Sequence, residues 1–363
     1  MTATTADTDF EPGGITPLEQ DSEWKGGGAP GTISGSPRGD DYLFELTDAH
    51  LDEIDAALTE AEARTDDVLD IAAEHFPLPT LGAALRDVAD DLMNGRGVVL
   101  IRGVDVERYG KDRATSIYWS IGAHLGAPWP QNAKGHLLGD VTDQGKTGAD
   151  PTSRGNELGG VGLPFHSDGS DLVGLFCLDP GKSGGESVVA NAVTCHNELV
   201  RDEPELAAAL YEPFPYDLRG EHKPGSRQWY TMPIFNRFGD RLFVRYIRPY
   251  ISSSRRHDDA PRVSDVGLEA MNRLDAMCND PDYHVSMLME SGDMQFVNNY
   301  HVLHARQPYL DDRENGMVRH LKRLWLETDL VADADKPEPF RLQRGNTSSY
   351  WSSKGRTKSD VRT

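Results

Sequence analysis

Apolar residues recur at helical spacing in two early stretches, Leu51, Ile54 and Leu58 after Thr47, and Leu81, Leu85, Val88 and Leu92 after Thr80, the second stopping at Asn94-Gly95. Each predicts an amphipathic helix with an ordinary cap. The run Gly97-Val-Val-Leu-Ile-Arg102 predicts a buried strand, and 113–125 predicts another helix. From residue 164 onward the pattern shortens to β-like runs at 172–178, 187–190, 242–247, 285–289, 294–297 and 318–326. Helical insertions at 197–211 and 264–278 break them. Many short, turn-bounded strands predict an α+β, mainly β fold built as a double-sheet barrel or jelly roll, not a parallel α/β sheet. There is no internal repeat and no glycine fingerprint for a phosphate.

Two stretches lack periodicity. Residues 1–41 are rich in Gly, Pro, Ser and acid and bury too little apolar surface to order themselves, which predicts a flexible N-terminal arm or one that folds only against the body. Residues 42–363 are then read as a single domain. The segment 131–160 reads as a long loop, and loops of that length inside a compact domain are usually functional.

Charge narrows the partners. Lys+Arg number 37 against 59 Asp+Glu, a net −22, so the chain repels nucleic acid and anionic membrane and a small-molecule substrate is expected. No apolar run approaches the roughly 20 residues needed to span a bilayer, and the N-terminus lacks the basic and apolar regions of a signal peptide, so a cytoplasmic location is expected. Cys177, Cys195 and Cys278 are scattered without a Cys-x-x-Cys pair and read as structural thiols. No apolar stripe identifies a partner surface, though a homo-oligomer is compatible with the sequence.

His-x-Asp occurs three times, at His50-Leu-Asp52, His166-Ser-Asp168 and His257-Asp-Asp259. The first lies in a predicted helix, where residues two apart diverge. The third lies in a charged polar loop. His166 and Asp168 enter a β run, where residues i and i+2 share a face about 6–7 Å apart and can bite one metal. A neighbouring strand ending in Asn298-Asn-Tyr-His301-Val-Leu-His304 offers a third ligand, with His301 and His304 competing. Two imidazoles and a carboxylate on one face of an octahedron suit non-haem Fe(II) oxygenases, whereas zinc prefers a closed tetrahedral set. In 318–326, alternation puts Arg319, Leu321, Arg323 and Trp325 on one face. Arginines turned inward beside Trp require a buried anion.

At these residues the sequence resembles the taurine dioxygenase-like (TauD/TfdA, clavaminate synthase-like) family of Fe(II)/2-oxoglutarate oxygenases, over roughly residues 97–328. The resemblance rests on Leu163-Pro-Phe-His-Ser-Asp-Gly-Ser-Asp, Ser183-Gly-Gly-Glu-Ser and Asn298-Asn-Tyr-His-Val-Leu-His-Ala-Arg. It implies a double-stranded β-helix, a cupin-like jelly roll, with helical insertions. It implies His166, Asp168 and His304 as iron ligands and thereby selects His304 over His301. Ser187 and Arg319 are implied on the distal carboxylate of 2-oxoglutarate, and Arg323 near substrate or oxoglutarate. Where amino-acid hydroxylases closest to clavaminate synthase often carry Glu as the carboxylate ligand, this chain has Asp168. The implied activity uses Fe(II), 2-oxoglutarate and O2 to hydroxylate an unactivated C–H bond of a small carboxylate- or amino-acid-like metabolite, releasing succinate and CO2. Desaturation, cyclisation or oxidative cleavage are the alternatives within the family; a non-catalytic cupin-like metal- or ligand-binding protein is the rival from outside it.

Overall fold

The computed structural model describes residues 14–19, 21–29, 31–148, 153–340 and 355–359. Two sheets pack against one another. The larger has eight strands in the order β20 (Thr357–Lys358), β6 (His136–Val141), β19 (His320–Glu327), β8 (Leu172–Asp179), β16 (Met294–Asn298), β4 (Val98–Arg102) and β3 (Leu43–Glu45), with β5 (Ala127–Pro128) also paired to β19. The smaller runs β15 (His284–Met287), β10 (Ser187–Asn191), β17 (Val302–Arg306) and β7 (Leu163–His166). Pairing is antiparallel except at the flanks, β20 beside β6 and β3 beside β4. The chain passes repeatedly from one sheet to the other, the jelly-roll topology that the short strands predict. Among the described residues three hairpins decorate it, β1 (Lys25–Gly26) with β2 (Ile33–Ser34), β11 (Pro213–Asp217) with β12 (Trp229–Pro233), and β13 (Phe235–Phe238) with β14 (Arg241–Val244), together with a long-range antiparallel pair, β9 (Ser183–Gly184) with β18 (Tyr309–Leu310).

Alternation along β4 shows how the layers are held. Val98 and Leu100 join the core between the sheets, with Val173, Val189, Val297 and Trp325. Val99 and Ile101 turn the other way, into the core beneath the helices. Both faces are buried, so the strand reads as an unbroken apolar run, and each such side chain contributes about 1.5–3 kcal/mol by leaving water. On that helical side lie α1 (Asp48–Glu62), α2 (Leu81–Asn94) and α3 (Val106–Leu125). The outer face of the smaller sheet is covered by α4 (Ala192–Asp202), with α5 (Pro204–Ala209) and α7 (Asp265–Asn279) packed on it, while α6 (Arg248–Ser253) rests on β11.

Caps explain the helix starts. Thr47 closes a capping box with His50 around α1. Thr80 makes no side-chain cap for α2; the Glu53 carboxylate of α1 accepts from the Thr80 and Leu81 amides instead, at 2.9 and 3.0 Å. Several expected boundaries move. α3 starts at Val106, not near 113, because Asp105 caps it, and a left-handed Gly110 kinks it. The insertion expected at 197–211 begins at Ala192, capped by Asn191, and divides at Glu203–Pro204.

The loop expected at 131–160 is a correction, since β6 lies within it. Its Asp140 hides the strand signal yet is buried, accepting from His320 Nε2 and Lys322 Nζ at 2.5 Å and from Ser359 Oγ at 2.6 Å. Within 1–41, several of the described residues pack against the body. Trp24 and Ile33 enter the core between the sheets beside Tyr42, which follows the segment, and the Gly26 amide donates to Asp282 O at 3.0 Å.

Candidate active site

β7 and β17 are neighbours in the smaller sheet, and their register sets His166 directly opposite His304. The two imidazoles have centroids 4.3 Å apart. β7 ends at His166, so Asp168 is not on the strand as alternation predicts but in the turn beyond it. That turn still brings Asp168 Oδ2 to 3.9 Å from His304 Nε2, and ligand atoms of His166, Asp168 and His304 all lie within 4.8 Å of one another. His301 is elsewhere, its Nε2 against Gly97, where an added Cβ would sit at 2.3 Å.

Protonation suits a cation. Burial pushes His304 down to about 3, helped by His166, and burial also lowers His166, so both rings are neutral near pH 7. Burial opposes the charge on Asp168, yet Arg323 beside it, with the Trp325 indole donating to Oδ2 at 2.8 Å, holds its carboxyl well below the usual carboxylate range. His166 Nδ1 meets Pro164 O at 2.9 Å, which fixes that nitrogen as the donor and leaves Nε2 with a lone pair. Two neutral imidazoles and one carboxylate form the donor set that a ferrous ion accepts.

The turn is held by two side chains. The Asp168 amide donates to Asn299 Oδ1 at 3.1 Å, and Asn299 Nδ2 donates to Ser170 O and Oγ at 3.2 and 3.1 Å. Arg245 Nη1 donates to Asp168 O at 2.8 Å, while Arg248 turns outward to Asp275 at 2.5 Å. Asn299 lay within a motif the sequence made visible; its holding role did not. The other His-x-Asp pairs have structural work. His50 belongs to the α1 cap; His257 meets Asp217 at 3.1 Å and Asp259 accepts from the Trp229 indole at 2.9 Å, tying 257–259 to the β11–β12 hairpin.

A cavity of about 330 Å³ opens beside the three residues. Arg319 and Arg323 both line it, with Leu321 between them, as strand alternation predicts, although Arg319 lies just before β19. Arg319 is 4% exposed; Nη2 donates to Gly185 O at 3.1 Å, and Nη1 has no partner. The Ser183-Gly-Gly-Glu turn makes room for it: Gly185 has φ +77°, and a Cβ there would lie 2.6 Å from Arg319 Nε. Arg323 Nε donates to Gln131 Oε1 at 2.8 Å and its Nη1 is 3.5 Å from Asp168 Oδ2. Ser187 also lines the cavity but donates its hydroxyl proton to Gln295 Oε1 at 2.7 Å. Gln295 Nε2 has only Met287 Sδ, at 3.2 Å, so turning that amide over would free the Ser187 proton for an anion. Arg154, Arg219 and Arg306 complete a cationic lining that sequence reasoning did not assign. The only cue to Arg306 was its place two residues after His304.

Known proteins share this arrangement of chain. The family model described as Taurine catabolism dioxygenase TauD, TfdA family matches residues 56–325. FR-33289 synthase of Streptomyces rubellomurinus (strain ATCC 31215) is 31% identical over 284 residues, covering 76% of this chain and 83% of that protein. Taurine hydroxylase-like protein SAT17 of Stachybotrys chartarum (strain CBS 109288 / IBT 7711) is 26% identical over 307 residues, covering 81% and 77%. Among solved structures, asparagine oxygenase in complex with Fe(II), 2S,3S-3-hydroxyasparagine and succinate superposes with a TM-score of 0.61 at 16% identity, over 82% of this chain and 98% of that one. The non-heme iron oxygenase OrfP in complex with Fe and alpha-ketoglutaric acid gives 0.60 at 18% identity, over 82% and 96%. These two likenesses show the shared fold. The chain belongs to the taurine catabolism dioxygenase TauD, TfdA family and is a 2-oxoglutarate-dependent dioxygenase.

Proposed function

We propose that His166, Asp168 and His304 hold the ferrous ion, that Arg319 and Ser187 hold the distal carboxylate of 2-oxoglutarate, and that Arg323 contacts the prime substrate. The observation that carries this reading is a buried guanidinium with an unpartnered Nη1 lining the same cavity as a carboxylate and two neutral imidazoles. Bound iron with 2-oxoglutarate supplies oxidation of a C–H bond by dioxygen, with succinate and CO2 as coproducts. The side chains supply binding and orientation. Arg319 fixes the far end of the cosubstrate through charge-assisted hydrogen bonds. Trp325 and Arg323 keep Asp168 ionised and aimed, and the apolar walls formed by Val173, Leu175 and Leu321 exclude water.

The substrate is read as a small carboxylate- or amino-acid-like metabolite, and the reaction as hydroxylation. Similar folds have been solved with amino-acid products, hydroxyasparagine in asparagine oxygenase and (3S)-hydroxy-L-Arg in OrfP, and the cationic lining here suits a substrate bearing an acid group. Residues 42–363 are proposed to form one domain around this site. The test is succinate formation from 2-oxoglutarate without prime substrate, followed in iron-loaded protein with oxygen. Arg319→Ala should reduce it at least about 100-fold, the loss expected when a buried charged anchor is removed. Undiminished succinate in that variant overturns the assignment.

A further inference from the structure

Arg306 ends β17 and is 8% exposed, two residues beyond His304 and lining the same cavity. Its Nη2 donates to Leu158 O at 3.1 Å and to Val161 O at 2.7 Å, whereas Nε and Nη1 have no partner. Its guanidinium lies 5.0 Å from the centre of the Tyr309 ring, and that of Arg319 lies 5.2 Å from the same ring. Across the β10–β17 ladder the residue opposite Arg306 is Ser187, so the two side chains share a face. Among the described residues no carboxylate comes within 4.0 Å of either guanidinium. Two buried like charges around one ring are unfavourable until an anion joins them.

Beyond Arg306, the segment whose carbonyls it grips is tied by a parallel bridge from Leu158 to Lys146, by Leu158 and Val161 amides bonded locally to Gly155 O and Gly159 O, and by single backbone bonds to its neighbours. Asn156 O accepts from Thr142 at 3.3 Å, Glu157 O from Gln144 at 3.1 Å and Gly160 O from Tyr309 at 3.4 Å, and Val161 is 48% exposed. We propose that Arg306 is the second cation of the oxoglutarate pocket and a strap, facing the distal carboxylate with one edge of its guanidinium and holding residues 158–161 with the other. Cosubstrate binding then relieves the repulsion from Arg319, fixes the Arg306 fork and thereby fastens 158–161 beside the cavity. This rests on the reading that Arg319 binds oxoglutarate. A cation serving only the loop carbonyls would leave oxoglutarate affinity alone, and an anion contact without the strap would leave the loop unmoved.

The test compares iron-loaded protein, held without oxygen, as wild type, Arg306→Met, Arg306→Lys and Arg319→Met. Oxoglutarate affinity is measured by calorimetry, and backbone amide hydrogen exchange in 157–162 is measured with and without oxoglutarate. In the wild type, oxoglutarate should slow that exchange at least about fivefold. Arg306→Met should weaken binding at least about tenfold and abolish the slowing. Arg306→Lys keeps the charge without the fork, so it should bind within about threefold of wild type and still lose the slowing. Slowing that persists in Arg306→Lys, or wild-type affinity in Arg306→Met, overturns the proposal; should Arg306→Met not fold, the lysine variant decides alone. Arg319→Met separates the two readings. Wild-type affinity there sinks the cosubstrate site itself, whereas lost affinity there with an unaffected Arg306→Met sinks only the strap.

Discussion

Asn299 uses both ends of its amide on the turn that carries Asp168, accepting from the Asp168 amide and donating to Ser170, and its own amide donates to Asp171 O at 3.0 Å. Removing such a holding group leaves the ligand in place but unaimed. Asn299→Ala should therefore keep the fold and weaken Fe(II) binding about 10- to 100-fold, measured by metal titration under anaerobic conditions; unchanged affinity would show that Arg245 alone suffices. At this scale the sequence revealed what periodicity can reveal. The spacing of His166 and Asp168 and the alternation of Arg319, Arg323 and Trp325 are local patterns; the structure brings the first four to one cavity wall and sets the Trp325 indole behind them, donating to Asp168. Spacing left His301 and His304 open and the family resemblance selected His304; in the structure the register of β17 against β7 sets His304 opposite His166. Arg306 was missed because the carbonyls it holds, those of Leu158 and Val161, lie far away in sequence and meet it only in the folded chain.

Among the elements, the turn between β9 and β10 places a tight demand on sequence. Gly184 and Gly185 both have positive φ, at 75° and 77°, and Gly185 abuts Arg319. Gly185→Ala would strain the backbone and push the guanidinium aside, so the KM for oxoglutarate should rise about tenfold or more while circular dichroism stays unchanged. An unaltered KM would mean that Arg319 retreats without loss. Helices were legible where their apolar stripes are clean, as in α2, whose Leu81, Leu85, Val88 and Leu92 are all buried. They were less so where a cap decided the start, as Asp105 does for α3. β6 escaped because a buried aspartate reads as a loop residue until its partners from β19 and the C-terminal segment are known.

The whole molecule buries histidines outside the site as well. Burial pushes His196 and His301 down to about 4, below their ordinary 6.5. Between those values the unfolded chain takes up protons that the folded one refuses, so the stability these groups give is full above pH 6.5 and is lost as the pH falls toward 4. Each costs roughly 3 kcal/mol by pH 4. The denaturation midpoint of chelator-treated protein should fall across that window, and His196→Gln should flatten the fall; a midpoint independent of pH there would refute it. The jelly-roll class was readable from many short strands with few helices between them. Which strands touch was not, since the ladder joining β4 to β16 spans nearly 200 residues. That distance has a consequence during synthesis. β17, which completes the smaller sheet and supplies His304, and the 282–287 segment that receives Trp24 and its neighbours, leave the ribosome long after the segments they pack against. Trp24, Ile33 and the half-built sandwich must wait, apolar faces bare, until translation has passed residue 306, and no iron can be captured by this triad before then.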